Sequence, residues 1–332
     1  MKKFSKVLLT LGIVLVVIGT VWMIISFIPP QKATVDNPWR SERTLISAHR
    51  GGGNLNPENT KMAFDYVIKD TTYTDIVELD VRIARKNNSS EEYELVIIHD
   101  ASINRTGIDD SIKDEEKLVK DLTVSELKMY NLGINYKKGE TYPYKDTASL
   151  SEDDRKDLTI MTLAEFFTEY NNARDFRLLL EIKDAKEDGI TATDLVEELL
   201  AKSENSWWND RTMIISFSTD VVNHVLETYP NRYVAGMGYN MVPFLIGSVL
   251  GLDALFNIKY QSVQSSMITK AGPISINCAT QKFVDSAHAR NQCVAFWTIN
   301  ERSDMEHLIS LGVDVITTNS PDVLAEVLGR LD

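Results

Sequence analysis

Four short apolar runs carry the residues whose types and spacing could do chemistry. LISAH (residues 45–49) runs into His49-Arg50, IVELDV (76–81) carries Glu78-Leu79-Asp80, LVIIHD (95–100) ends in His99-Asp100, and RLLLEIK (177–183) closes on Glu181-Ile182-Lys183. In a strand, residues i and i+2 point to one side. Glu78 then projects with Asp80, and Glu181 with Lys183, amid apolar neighbours where an unpaired polar group is costly. Three converging carboxylates repel and raise one another's pKa values, which a divalent cation relieves. An all-oxygen trio suits one Mg²⁺ or Ca²⁺ rather than zinc. Imidazoles in general titrate near neutrality, so one of His49 and His99 can take a proton from a nucleophile while the other protonates a leaving oxygen, as phosphodiester cleavage requires. Arg50 and Lys183 would neutralise phosphoryl oxygens.

The elements that must position these residues read as alternating strands and helices. Further strand-like runs are MIISF (213–217), YVAGM (233–237), CVAFWT (293–298) and VDVITT (313–318), with SVQSS (262–266) and ISIN (274–277) competing for places. Most are nearly continuous in apolar residues, as strands covered on both faces must be. Helix-like stretches fall at 59–69, 163–171, 192–203, 219–229, 281–291 and 302–311. Strand then helix, about eight times over, predicts an α/β fold: a (β/α)₈ barrel with catalytic groups at the C-terminal ends of its strands. Residues 101–160 interrupt the rhythm after the third run and read as a small inserted subdomain, with a helix near 123–130. Residues 240–258, almost uncharged, read as a buried barrel helix and its loop; the alternatives are an apolar lid beside the active site or a segment touching a membrane.

The chain of 332 residues carries a net charge of −13, unevenly. Through Arg43 it has six Lys/Arg against two Asp/Glu, or +4, leaving −17 for the remainder. So acidic a body, with no basic run, excludes nucleic acid as a partner. Residues 7–28 are uncharged and long enough as a helix to span a bilayer. A cleaved signal peptide fits less well, because the apolar stretch is too long and no small-residue cleavage motif follows. No Cys lies near it to carry a lipid. Lys2, Lys3 and Lys6 precede the segment, so the positive-inside rule predicts a single-pass protein of the cell membrane with its N-terminus cytoplasmic. The organisation expected is a cytoplasmic stretch 1–6, a transmembrane helix 7–28, a linker 29–43 and an extracellular barrel 44–332. Cys278 and Cys293 are separated by a helix-like stretch too long for a disulfide and read as reduced and buried.

His49-Arg50-Gly51 is followed after five residues by Pro57-Glu58-Asn59-Thr60. With Glu78-Leu79-Asp80-Val81, His99-Asp100, Asn104-Arg105-Thr106, Glu181-Ile182-Lys183 and Trp297-Thr298-Ile299-Asn300, the order and spacing resemble the glycerophosphodiester phosphodiesterase family over residues 45–328. The resemblance implies a (β/α)₈ barrel with a small insertion after strand three. It implies His49 and His99 as the acid/base pair, Glu78, Asp80 and Glu181 on a divalent metal, and Arg50 and Lys183 on the phosphate. It also implies Glu58 as a carboxylate beside the metal and Trp297 as an aromatic against the glycerol. Two departures stand out: Met161 replaces the usual proline before Thr162-Leu163, and Asn319 stands where an acidic residue is usual.

The implied reaction is metal-dependent hydrolysis of glycerophosphodiesters to sn-glycerol 3-phosphate and an alcohol, with water or a neighbouring substrate hydroxyl as nucleophile. Phospholipase D-like hydrolysis of lysolipids or sphingolipids on the same barrel is one alternative. A phosphoinositide phospholipase C-like enzyme is another, and a non-catalytic surface receptor for glycerol phosphate groups is a third. His224, His288 and His307 fall on helix-like stretches and are expected to be surface or packing residues.

Overall fold

A computed structural model describes residues 2–34, 36–89, 91–112, 115–271 and 274–331. The chain opens with helix α1 (Lys2–Ser26), apolar from Lys6 to Ser26 with a mean hydropathy of 2.7 and no part of that stretch buried. Its length and composition are those of a membrane anchor and of a signal sequence alike. Eleven strands follow among the described residues: β1 (Leu45–Ala48), β2 (Ile76–Arg85), β3 (Tyr93–Ile97), β4 (Arg177–Ile182), β5 (Thr212–Ile215), β6 (Tyr233–Gly236), β7 (Ser262–Ser265), β8 (Ile268–Ala271), β9 (Ile274–Asn277), β10 (Cys293–Phe296) and β11 (Val315–Thr318). The α-helices after α1 are α2 (Lys61–Asp65), α3 (Asn104–Gly107), α4 (Val124–Leu127), α5 (Glu152–Asp157), α6 (Leu163–Tyr170), α7 (Lys186–Leu200), α8 (Thr219–Thr228), α9 (Val242–Leu250), α10 (Gln281–Ala289), α11 (Arg302–Ser310) and α12 (Pro321–Val327).

Eight strands close a parallel barrel in the order β1-β2-β4-β5-β6-β7-β10-β11, with β11 returning to β1 through Leu45↔Val315. Alternation along each stave sorts its side chains. On β2 and β4, Val77, Leu79, Leu178 and Leu180 join the large outer core against the helices, while Ile76 and Leu179 turn into the barrel with Leu45, Met213, Ala235, Cys293 and Val315. Trp39, from the segment before β1, belongs to this inner cluster and packs edge-on against Tyr233, 6.4 Å between ring centroids. The next inward positions on β2 and β4 are Glu78, Asp80 and Glu181, and β2 and β4 register Asp80 against Glu181. The barrel interior is therefore apolar at one end and acidic at the other.

The eight staves are not the eight apolar runs of the sequence. β3 is no stave: β2 is ten residues long, and its overhang pairs antiparallel with β3 from Val81↔Ile97 to Arg85↔Tyr93. Residues 95–98 are continuously apolar because one face (Leu95, Ile97) meets the outer core and the other (Val96, Ile98) meets a separate cluster with Ile103, Val119, Val124, Leu127 and Leu132. The missing stave is β7, whose Ser262, Gln264 and Ser265 are buried polar residues that hid it from a hydropathy reading. ISIN forms β9 of a two-stranded antiparallel hairpin with β8. Helix boundaries shift too. α7 begins six residues before its apolar periodicity does. The stretch at 59–69 is α2 followed by a π-helical turn over Tyr66–Asp70, and the helix expected at 123–130 is the single turn α4, with a Thr123–Glu126 capping box. Cys278 and Cys293 are both buried and free.

Candidate active site

The C-terminal ends of the staves surround a cavity of about 280 Å³. Its lining combines the polar His49, Arg50, Glu78, His99, Glu181 and Lys183 with the apolar Ile215, Phe217, Met237 and Trp297. Residues 240–258 contribute nothing to this lining, so the lid expectation for them is not met; α9 instead buries Phe244, Leu245, Gly247 and Ser248 against the barrel.

Glu78, Asp80 and Glu181 are buried, and one oxygen from each lies within 4.8 Å of the other two. Glu78 Oε1 and Asp80 Oδ1 accept no hydrogen bond. Burial, then the charges of Asp80 and Glu181, push the Glu78 carboxyl well above the ordinary range. Burial and Asp80 likewise raise Glu181, against the opposing pull of Lys183. Burial opposes ionisation of Asp80, but Lys183 and Arg50 outweigh it and hold its pKa low. Orphaned buried oxygens in an all-carboxylate cluster are the donor set a hard divalent cation takes, so these three residues fit one.

Two cations already touch this cluster. Lys183 Nζ lies 2.7 Å from Glu181 Oε1 and 3.6 Å from Asp80 Oδ1; Arg50 Nε lies 3.2 Å from Asp80 Oδ2. Arg50 Nη1 donates to Glu58 Oε1 at 3.0 Å. Glu58 thus meets the acidic trio through Arg50. The turn at 49–52 makes this approach possible: Arg50, Gly51 and Gly52 are all left-handed, with φ of 53°, 78° and 86°, and an added Cβ on Gly51 would come within 2.9 Å of Ala63 Cβ. The Arg50 N–H released by that turn donates to Glu78 Oε2 at 2.7 Å.

Each histidine is held through Nδ1. His49 Nδ1 donates to Asn319 Oδ1 at 2.6 Å, and His99 Nδ1 donates to Asp100 Oδ1 at 2.6 Å. An amide oxygen and a carboxylate can only accept, so in both rings the Nδ1 proton is fixed and Nε2 is left for chemistry. His49 Nε2 lies 4.0 Å from Glu78 Oε2. Burial, then the neighbouring Arg50 charge, push the His49 imidazole down to about 4, so it is neutral at pH 7. The departure at Asn319 therefore falls on the orienting partner of His49: an amide fixes the same tautomer without adding a negative charge.

Three residues of the motifs, and Arg82 just after one of them, gain partners that their types alone did not assign. Asn59, itself left-handed at φ 57°, donates from Nδ2 to Asp80 Oδ2 at 2.8 Å. Asp100 holds His99. Arg105 bridges both halves of the site, pairing through Nε with Asp100 and through Nη2 with Glu58 Oε1 at 2.5 Å. Arg82 fastens the His99 backbone, donating to its carbonyl at 2.9 Å while Nη1 meets Asp184 Oδ1 at 2.7 Å. Trp297 packs edge-on to Phe217, with 5.4 Å between ring centroids. His224, His288 and His307 lie away from the cavity, on Asp194, Asp314 and the Ala279 carbonyl.

The family model for the glycerophosphoryl diester phosphodiesterase family matches residues 49–323, the span that holds every residue of this site. The chain belongs to that family. It is an enzyme of the phosphodiesterase class on an eight-stranded parallel barrel. Among similar proteins, a glycerophosphodiester phosphodiesterase of Caldanaerobacter subterraneus is 28% identical over 289 residues, covering 87% of this chain and 99% of its own length. One of Bacillus subtilis is 24% identical over 302 residues, covering 90% and 91%. Among solved structures, the Oleispira antarctica phosphodiesterase, determined in complex with the product sn-glycerol-3-phosphate, superposes with a TM-score of 0.62 at 18% identity and covers 90% of this chain and all of its own. A glycerophosphodiester phosphodiesterase of Agrobacterium tumefaciens gives 0.57 at 18%, covering 85% and 99%.

Proposed function

We propose that this chain hydrolyses glycerophosphodiesters to sn-glycerol 3-phosphate and an alcohol outside the cell, tethered to the membrane by a retained helix over residues 7–28. The observation that carries the reading is the meeting of an acidic trio, two Nδ1-anchored histidines and two cations at one cavity of a family member. The sn-glycerol-3-phosphate bound to the Oleispira antarctica relative supports the same product.

Glu78, Asp80 and Glu181 would hold one divalent cation, Mg²⁺ or Ca²⁺, which when bound neutralises charge building on the phosphoryl oxygens. Arg50 and Lys183, released in part from the carboxylates, bind the phosphate. His49, neutral and with its Nε2 lone pair free, suits removal of the nucleophile's proton. His99, oriented by Asp100, suits delivery of a proton to the leaving alkoxide. Glu58 positions Arg50, and Trp297 offers an apolar wall to the glycerol carbons.

Turnover of several glycerophosphodiesters, glycerophosphocholine among them, tests the reading. EDTA is expected to abolish release of glycerol 3-phosphate, and Mg²⁺ or Ca²⁺ to restore it. Undiminished turnover in EDTA refutes the metal assignment. Preference for the long-chain acyl analogue over glycerophosphocholine refutes the substrate class.

A further inference from the structure

We infer that the end of α9 and the turn after it form a second membrane-contact surface, seated in the outer lipid interface beside α1; this rests on the reading of residues 7–28 as a retained span. α9 is two-faced. Its inner side chains are buried, Phe244 packing edge-on against Phe283 at 5.0 Å between centroids. Its outer side chains are not: Ile246 is 43% exposed, Val249 54%, Leu250 48%, and Leu255 in the following turn 59%. A contiguous apolar corner on so acidic a body marks a contact surface.

Its occupant is indicated by what stands next to it. Trp22 of α1 donates from Nε1 to the Leu250 carbonyl at 2.9 Å, and a Cβ on Gly251 would lie 3.9 Å from Ser26. The exposed apolar surface of α1 thus continues directly onto the α9 corner. At 1.5 Å per residue, Trp22 lies about 6 Å inside the end of α1 at Ser26, the depth at which interfacial aromatic and amphipathic groups sit. Charge agrees. Between residues 238 and 258 the only charged side chain is Asp253, and it turns inward to Arg290 Nη2 at 3.2 Å and Ser286 Oγ at 2.5 Å. Lys282 reaches across to the Val249 carbonyl at 2.8 Å, a cationic rim to the apolar patch.

The topology gives this contact a consequence. Met237 lines the cavity just beyond β6, and α9 then runs back toward the opposite ends of the staves, where Arg290 holds the carbonyls of Asp253 and Phe256. With that corner in lipid, the catalytic cavity lies at the far ends of the staves from the anchored edge.

The test uses the full chain in nanodiscs of phosphatidylglycerol and phosphatidylethanolamine. Single cysteines carrying an environment-sensitive fluorophore are placed at Val249, Leu255, Val16 of α1 and exposed Met129, the native cysteines being buried. The 249 and 255 labels are expected to be quenched by shallow spin-labelled lipid at least twofold more than the 129 label, and shielded from iodide. Quenching at 16 by lipid spin-labelled deep in the acyl chain, with 249 and 255 behaving like 129 toward the shallow label, would leave the anchor standing and overturn the second contact. No quenching at 16 removes the span and the contact together. Shielding of 249 and 255 from iodide without quenching by lipid overturns the proposal in favour of a protein, such as a second copy.

Discussion

Arg105 is a sharp test of how the site is held, because it contacts neither the acidic trio nor the cavity wall yet links the partner of His99 to the partner of Arg50. Replacing it by Ala removes one ion pair to Asp100, which orients His99, and another to Glu58, which orients Arg50. Arg105 is half exposed, whereas Glu58 and Asp100 are 20% and 26% exposed. Solvent screening therefore limits each pair to about 0.5–1 kcal/mol, the upper part of the range for exposed pairs. If that ordering is required in the transition state, about 1–2 kcal/mol is lost, a fall of roughly 5–30-fold in kcat/KM. Arg105→Lys should recover only part, because one ammonium nitrogen cannot stand at both the Nε position facing Asp100 and the Nη2 position facing Glu58 that the guanidinium fork occupies together. The assay is steady-state hydrolysis of glycerophosphocholine by parent and both variants, with thermal melts to separate positioning from folding. A kcat/KM for Arg105→Ala within about twofold of the parent would refute the reasoning, as would full recovery by Lys.

Three further outcomes are expected. His99→Ala should lower kcat by at least about 10²-fold, with near-parent turnover removing His99 from proton transfer. Gly189→Ala should destabilise the protein by about 1–3 kcal/mol in a denaturant titration despite the better helix propensity of Ala; the new Cβ would lie 2.6 Å from the Asp184 carbonyl and 2.7 Å from Val221, and an unchanged or raised midpoint would contradict this. Burial opposes ionisation of Asp65, but hydrogen bonds from Lys61, Lys69 and Tyr170 prevail and hold its pKa below the ordinary 3.8. Its contribution, about 1 kcal/mol after screening, is fully present above that value and is lost as pH falls through the lower folded value. The stability gap between parent and Asp65→Asn should therefore be wide at pH 7 and close below pH 3.8; a gap independent of pH would refute it.

Much of the site was legible because strand periodicity is local. Glu78 with Asp80, and Glu181 with Lys183, share a face by spacing alone, and the structure brings all four into one cluster, Asp80 lying buried beneath the three that line the cavity. Stave membership was less legible, because hydropathy reports coverage by neighbours rather than neighbours' identity. Residues 95–98 are apolar on both faces under an insertion, and β7 is polar inside the barrel, so the count of eight survived while one member changed. The partners of the histidines were legible only for His99, whose Asp100 is adjacent in sequence. Asn319 reaches His49 across 270 residues, and the closed pairing of β11 with β1 is what sets them side by side.

By itself the sequence determined the kinds of chemistry on offer: a hard-cation donor set, two imidazoles, two basic side chains at strand ends, and a 22-residue apolar segment that no soluble surface would carry. These follow from residue type and short-range spacing. Tertiary structure decided which groups are paired before substrate arrives, with Arg50 and Lys183 on carboxylates and Glu58 on two arginines, because those distances depend on the turn at 49–52 and on the register of β2 with β4. It also decided that the apolar stretch after β6 turns one face to the barrel and the other outward beside α1, since only packing reveals which side of an apolar helix is left uncovered.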